Sequence, residues 1–210
     1  MDLRKRKQKK FEVFDPAPSG EFAYRVLEEA KVPGIVIGRL GVWAWVPEEE
    51  QQFTKDLDIA VRSEDLVFIR QTLHQKNLVT KELNIGGVNV RYPDYKINVD
   101  FIDRSSPIYG NLNQLFSEAI KASLESGEIV QIGSISLPVV LPEYLAVMKI
   151  ATGEDDDERD VERIVEHGEL DVDKTRELIK QHAGIAAIGR FEAILRKTGH
   201  DKAIRKPTYE

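Results

Sequence analysis

The sequence predicts an α+β fold, with a mixed β-sheet flanked by helices over residues 19–140 and a helical region over 141–210. Three observations predict it. Short runs rich in Val and Ile, such as "GIVIG", "DLDIAV", "VNVRY" and "KINVDFI", alternate with stretches whose apolar residues recur at helical spacing. From Pro142 onward the pattern changes to consecutive helical segments. The 210 residues are 41% hydrophobic, enough to bury a core.

Taken in order, "FDPAPSG" is turn material, and Ser19 is placed to cap a helix reaching about Lys31 with Val26, Leu27 and Ala30 on its apolar face. "KVPG" ends that helix and "GIVIG" reads as a short buried strand. "RLGVWAWVP" reads as helical up to Pro47, "EEEQQ" as a polar loop, and "DLDIAV" as a second strand. Ser63 is expected to cap the next helix, with Glu64 and Asp65 favourably placed against its dipole and Leu66, Ile69 and Leu73 facing inward. "NLVTKEL" and "VNVRY" bracket Gly86-Gly87 as a hairpin, "KINVDFI" is a further strand, and a second hairpin turns at Gly133-Ser134. The helical part comprises "PEYLAVMKIAT", "DERDVERIVEHG" stopped by Gly168, "KTRELIKQHAG" capped by Asp173, and "AAIGRFEAILRKTG".

Charge narrows the function classes. A net charge of −6 argues against binding nucleic acid over the whole surface. The distribution is uneven: Arg4, Lys5, Arg6, Lys7, Lys9 and Lys10 make residues 1–18 a basic arm, and "GEDDDERD" is its acidic counterpart. Such an arm is able to hold phosphates through charge alone, although a solvated tail is its commoner role. The absence of cysteine excludes disulfides, thiolate metal sites and cysteine nucleophiles. No run approaches a membrane span and no apolar segment follows the basic start, so a cytoplasmic protein without membrane partners is expected.

"QQFTKDLDIAV" carries the chemistry. Alternate residues of a strand share a face, so Asp56 and Asp58 project together while Leu57 turns away. Two carboxylates this close raise each other's pKa unless a cation lies between them, and Mg²⁺ or Mn²⁺ suits such oxygen ligands. Asp100, inside "KINVDFID", offers a third acid from another strand; Asp103 beside Arg104 reads as solvated or paired. Gly38 in "VIGRLGVW" joins a strand to a helix, where backbone N–H groups are free to hold phosphate or simply form a tight turn.

Strand, glycine turn, helix, D-x-D and a later lone Asp resemble the nucleotidyltransferase superfamily with the DNA polymerase beta-type fold. The abortive-infection toxin and minimal nucleotidyltransferase branch is the most similar: its basic-x-Thr-x-Asp-x-Asp pattern matches "QFTKDLD" at Thr54, Asp56 and Asp58. Its later Lys, Ala and Arg-Asp match Lys149, Ala151, Arg159 and Asp160. The resemblance spans residues 34–166 and implies a nucleotidyltransferase-type mixed sheet. It also implies transfer of a nucleoside monophosphate from an NTP to a hydroxyl of RNA, protein or a small molecule, with a cognate antitoxin as a partner in a toxin–antitoxin setting. Asp56, Asp58 and Asp100 are then the catalytic and metal residues. Gly38, Arg39, Thr54, Lys149, Arg159 and Asp160 attend the nucleotide, Lys149 reaching the triphosphate and Asp160 orienting Lys149 or Arg159.

Three positions depart from the pattern. Arg39 stands where a second small residue is usual and either clamps phosphate or fills its space; Gln52 replaces the basic residue before Thr54; acids at 154–158 set a field against an anionic ligand. These departures motivate the alternative of a catalytically inactive binding or regulatory module. His74, His167, His182 and His200 show no metal spacing, Trp43 and Trp45 read as core rather than base-stacking residues, and nothing in their spacing requires Tyr92 or Tyr95 at a site.

Overall fold

The structure is a computed structural model that describes residues 15–106, 112–168 and 170–200; the basic residues 4–10 lie outside these. Helix α1 (Ala17–Ala30) leads into strand β1 (Ile35–Val36), helix α2 (Gly38–Trp43) and strand β2 (Leu57–Ala60). Helix α3 (Ser63–Gln75), the β3–β4 hairpin (Thr80–Glu82, Gly87–Tyr92) and strand β5 (Ile97–Ile102) follow. Helix α4 (Asn113–Ser126) precedes a second hairpin, β6 (Ile129–Ile132) and β7 (Ile135–Pro138). Helices α5 (Pro142–Ile150), α6 (Asp155–His167), α7 (Val172–His182) and α8 (Gly184–Lys197) close the chain.

The main sheet has the order β1-β2-β5-β4-β3, with β2 and β5 parallel and the other neighbours antiparallel. Parallel pairing of β2 with β5 sets the site, because it places Asp58 directly opposite Asp100 and Leu57 opposite Val99. On one sheet face Leu57, Ile59, Val99 and Phe101 are fully buried. The opposite face carries a polar row, Asp58, Asp100 and Asn89, on three adjacent strands. The β6–β7 hairpin is a separate two-stranded sheet, tied to β1 through the amide of Val140, which donates to the Val36 carbonyl at 3.0 Å.

Helix α5 is the hub of the helical part. All nine of its residues are buried, including Lys149, and it packs against α2, α4, α6, α7 and α8. Helix α2 bridges β2 to α5 and α6, so the sheet and the helices share one core.

Several local expectations give way to tertiary contacts. Ser19 does not cap α1: the helix starts at Ala17 after Pro16, and the buried Ser19 hydroxyl accepts from the Asn98 amide of β5 at 3.0 Å. Ser63 is the first residue of α3 rather than its cap, and its hydroxyl accepts from Asn113 at 2.7 Å. Asp171, not Asp173, caps α7 by accepting from the Lys174 amide at 3.0 Å. The helix after Gly38 ends at Trp43, short of Pro47. Helix α4, absent from the sequence reading, buries Leu115, Phe116, Ala119 and Ile120.

Candidate active site

Between the polar sheet face and α5 and α6 lies a cavity of about 690 Å³. Its sheet wall is built by Asp56, Asp58 and Asp100, with Gly38, Thr54 and Lys55 beside them. Strand periodicity puts Asp58 here, register puts Asp100 beside it, and Asp56 sits just ahead of β2. Thr54 is buried and donates its hydroxyl to the Asp56 carboxylate at 3.2 Å. Asn89 donates to Asp100 in a very short hydrogen bond and to Asn98 at 3.1 Å, which fixes the Asp100 carboxyl in the middle of the row.

The three acids repel. Burial, then Asp56 and Asp100, push the Asp58 carboxyl up to about 7, and the charge of Lys149 only partly offsets them. Burial and Asp56 also raise Asp100, against the lowering influence of the Asn89 hydrogen bond. Glycine at position 38 follows from the same crowding. Its φ is +62°, and a Cβ there would lie 1.9 Å from Asp58 Oδ2. Gly38 therefore makes room for the aspartate itself, a reason the turn motif does not supply.

The helical wall is organised differently. Asp160 on α6 is fully buried and gathers three cations: Lys149 Nζ at 2.8 Å, Arg163 at 3.0 Å and Arg39 Nε at 3.3 Å. Lys149 also meets Asp157 at 2.6 Å, and Asp157 accepts the Thr152 hydroxyl at 2.8 Å. Charges this deep persist only when paired in this way. Arg39 thus lines the cavity while paired with the Asp160 carboxylate, and it donates a second bond to the Phe53 carbonyl at 3.2 Å. The acids at 154–158 include the first turn of α6, where they suit the helix dipole. Asp156 pairs with Arg159 and Glu158 with Arg190.

Of the residues singled out in the sequence, Gly38, Arg39, Thr54, Asp56, Asp58, Asp100 and Lys149 line this cavity. Asp160 stands behind Lys149 and Arg39. Arg159 is apart from them, an exposed partner of Asp156. Trp43 and Trp45 are partly buried against the core and spend their ring N–H groups on the Gln52 and Val140 carbonyls. Asp103 is buried and accepts from Ser105 rather than facing the cavity. Sequence reasoning missed Asp157, Arg163 and Asn89. The first two depend on how α6 crosses α5, and Asn89 is found only through the β4–β5 register. Among the described residues no group of three or more His, Asp or Glu side chains is placed so that it could hold a metal ion, so Asp56, Asp58 and Asp100 do not form a ready three-ligand site.

No protein-family model matches the chain, and no characterised protein matches it by sequence. Solved structures do. An antigenic nucleotidyltransferase-like protein from Paracoccidioides brasiliensis superposes with a TM-score of 0.54 and 11% identity, over 90% of this chain and 91% of that one. The fold is nucleotidyltransferase-like. More distant matches are the antibiotic-resistance factor ANT(2'')-Ia, with TM-score 0.49, 13% identity and coverage of 84% and 93%, and JHP933 from Helicobacter pylori, with 0.41, 13%, 91% and 97%. The likeness is one of fold, carried by the Paracoccidioides protein and the five-stranded mixed sheet flanked by helices. No helix among the described residues is long and apolar enough to cross a membrane.

Proposed function

We propose that the protein is a Mg²⁺-dependent nucleotidyltransferase that moves a nucleoside monophosphate from an NTP to an acceptor hydroxyl. The observation that carries this reading is the convergence of Asp56, Asp58 and Asp100 on one cavity wall opposite Lys149. The donor set fits a hard divalent cation: it is all carboxylate oxygen, and the raised Asp58 pKa marks a site short of positive charge. The open arrangement fits too, since Mg²⁺ commonly takes one or two carboxylates and completes its shell with water and substrate phosphates. Asp56 and Asp58 would hold it, with Asp100 adjoining; when bound, it supplies charge neutralisation and polarises phosphate oxygens.

The chain's own residues then have separable tasks. Lys149 keeps Asp160 and exchanges Asp157 for the triphosphate. Asp100, whose pKa lies above the ordinary carboxylate value, accepts the proton of the attacking hydroxyl. The hydroxyl oxygen bonds to the α-phosphorus, the α–β bridging bond breaks, and pyrophosphate leaves. Thr54 holds the Asp56 carboxylate in place. The acceptor belongs to RNA, a protein or a small molecule, and the abortive-infection branch with its antitoxin partner rests on the sequence motif alone.

Incubation with each labelled NTP and Mg²⁺, over RNA and protein acceptors, tests the reading. Wild type transfers label, and Asp58→Asn lowers the rate by about 10²–10³-fold or more. Absence of transfer with every NTP, or an unaffected variant, contradicts it. A second reading, an inactive binding module, draws on the pairing of both Lys149 and Arg39 with acids. It gains if wild type binds an NTP without transferring it and Arg39→Ser restores transfer.

A further inference from the structure

The sheet places two of the three acids and leaves the third to other groups. Asp58 and Asp100 sit opposite each other in the β2–β5 ladder. Asp56 lies one residue ahead of β2, before the pairing that begins at Leu57. Its position therefore depends on the segment 53–56 that carries it. Side-chain hydrogen bonds hold that segment: Arg39 Nη1 donates to the Phe53 carbonyl at 3.2 Å, the Thr54 hydroxyl to the Asp56 carboxylate at 3.2 Å, and Asn98 to the Lys55 carbonyl at 2.9 Å. Arg39 differs from the other two donors in having a second arm on the helical wall. Its Nε meets Asp160 Oδ2 at 3.3 Å, the oxygen that also holds Lys149 Nζ at 2.8 Å. Asp160 is fully buried, which makes it a fixed anchor. A planar guanidinium that meets two partners through separate nitrogens fixes their spacing, which a compact ammonium does not.

We propose that Arg39 is a positioning residue for the divalent-cation site, tying the segment that presents Asp56 to the buried Asp160–Lys149 pair. The inference rests on the nucleotidyl-transfer reading and gives Arg39 a task toward the metal rather than toward phosphate. Groups that orient metal ligands from behind typically contribute about 10–100-fold to metal affinity. The sign of the effect separates positioning from simple charge. Removing a cation near a cation site favours the metal by Coulomb's law, whereas releasing Asp56 disfavours it.

Mn²⁺ binding to the intact protein without nucleotide, followed by electron paramagnetic resonance, is compared for wild type, Arg39→Lys, Arg39→Gln and Arg163→Gln. Arg39→Lys keeps the charge beside Asp160, and with it the fold, but loses the span between the two partners. It is expected to bind Mn²⁺ about 10–100-fold more weakly while melting near the wild-type temperature. Arg39→Gln is expected to weaken Mn²⁺ as well, although it removes a like charge. Arg163→Gln takes a cation from the other oxygen of the same buried carboxylate, at 3.0 Å, and is expected to bind Mn²⁺ within about twofold of wild type. The inference is overturned if either Arg39 variant binds Mn²⁺ as tightly as wild type. An equal loss in Arg163→Gln also overturns it, because the effect would then belong to the Asp160 cluster as a whole. In those cases wild-type Mn²⁺ binding that Asp58→Asn abolishes leaves the transfer reading standing, whereas a wild type that binds no Mn²⁺ overturns both.

Discussion

The two walls of the cavity handle charge in opposite ways. The helical wall is balanced: the buried Asp160 has Lys149, Arg39 and Arg163 around it, and Asp157 completes the shell of Lys149. The sheet wall is unbalanced: Asp58 faces Asp56 and Asp100 and has only a distant share of Lys149, so its carboxyl is pushed to about 7. A balanced cluster is what a fold needs in order to bury ions. An unbalanced one costs stability and persists where a ligand completes it. On the proposed function the contrast gives Asp160 on α6 a structural task and leaves the chemical ones to β2, β5 and Lys149 of α5.

Breaking the balanced wall should have the largest effect. Asp160→Ala takes the shared carboxylate from Lys149, Arg39 and Arg163, leaving Lys149 only Asp157 and Arg39 only the Phe53 carbonyl, and is expected to cost about 3 kcal/mol in urea denaturation. A loss below about 1 kcal/mol would mean that the cluster contributes little to folding. Next comes the joint between the walls. Gly38→Ala sets a Cβ against Asp58 Oδ2 and forces alanine to a φ of +62°, costing about 1–3 kcal/mol and displacing the aspartate. Transfer activity should fall with it, because the Asp58 position is shared; normal activity would show that the close approach is not needed.

The smallest stability effect sharpens the comparison most, because its sign is unusual. The folded Asp58 pKa of about 7 exceeds its ordinary value of 3.8, so ionisation weakens the fold. Below about pH 4 the carboxyl is protonated in both states and carries no penalty. The penalty grows as pH rises and is complete above about 7. A displacement this large corresponds to about 4 kcal/mol in full, which the cavity's access to water reduces to about 1–2 kcal/mol. Asp58→Asn is therefore expected to be more stable than wild type at pH 8 and equal to it at pH 4. Equal stability at both pH values would remove the charge imbalance from the account.

Much of this was legible in the sequence, and the boundary follows physical lines. Two-residue periodicity placed Asp56 and Asp58 on one face, and the strand containing Asp100 was plain. The structure then brought all three to one cavity. Helical spacing marked α1, α3 and α5 to α8. Helix α4 carries the same spacing at Leu115, Phe116, Ala119 and Ile120, but Leu112 at its start offers no capping side chain as a signal. Misplaced caps at Ser19 and Ser63 have one cause: their hydroxyls take partners from distant elements, which local chemistry does not reveal. Asp157 was hidden for the same reason, since its role depends on α6 crossing over Lys149.

On the proposed function, a divalent cation supplies the positive charge that the sheet wall lacks. The most direct measurement is a carboxyl ¹³C NMR titration of Asp58 in the intact protein, with and without Mg²⁺. An apparent pKa near 7 in the free protein, falling by more than one unit when Mg²⁺ is added, is the predicted result. A free-protein value close to 3.8, or one near 7 that Mg²⁺ leaves unmoved, would contradict it.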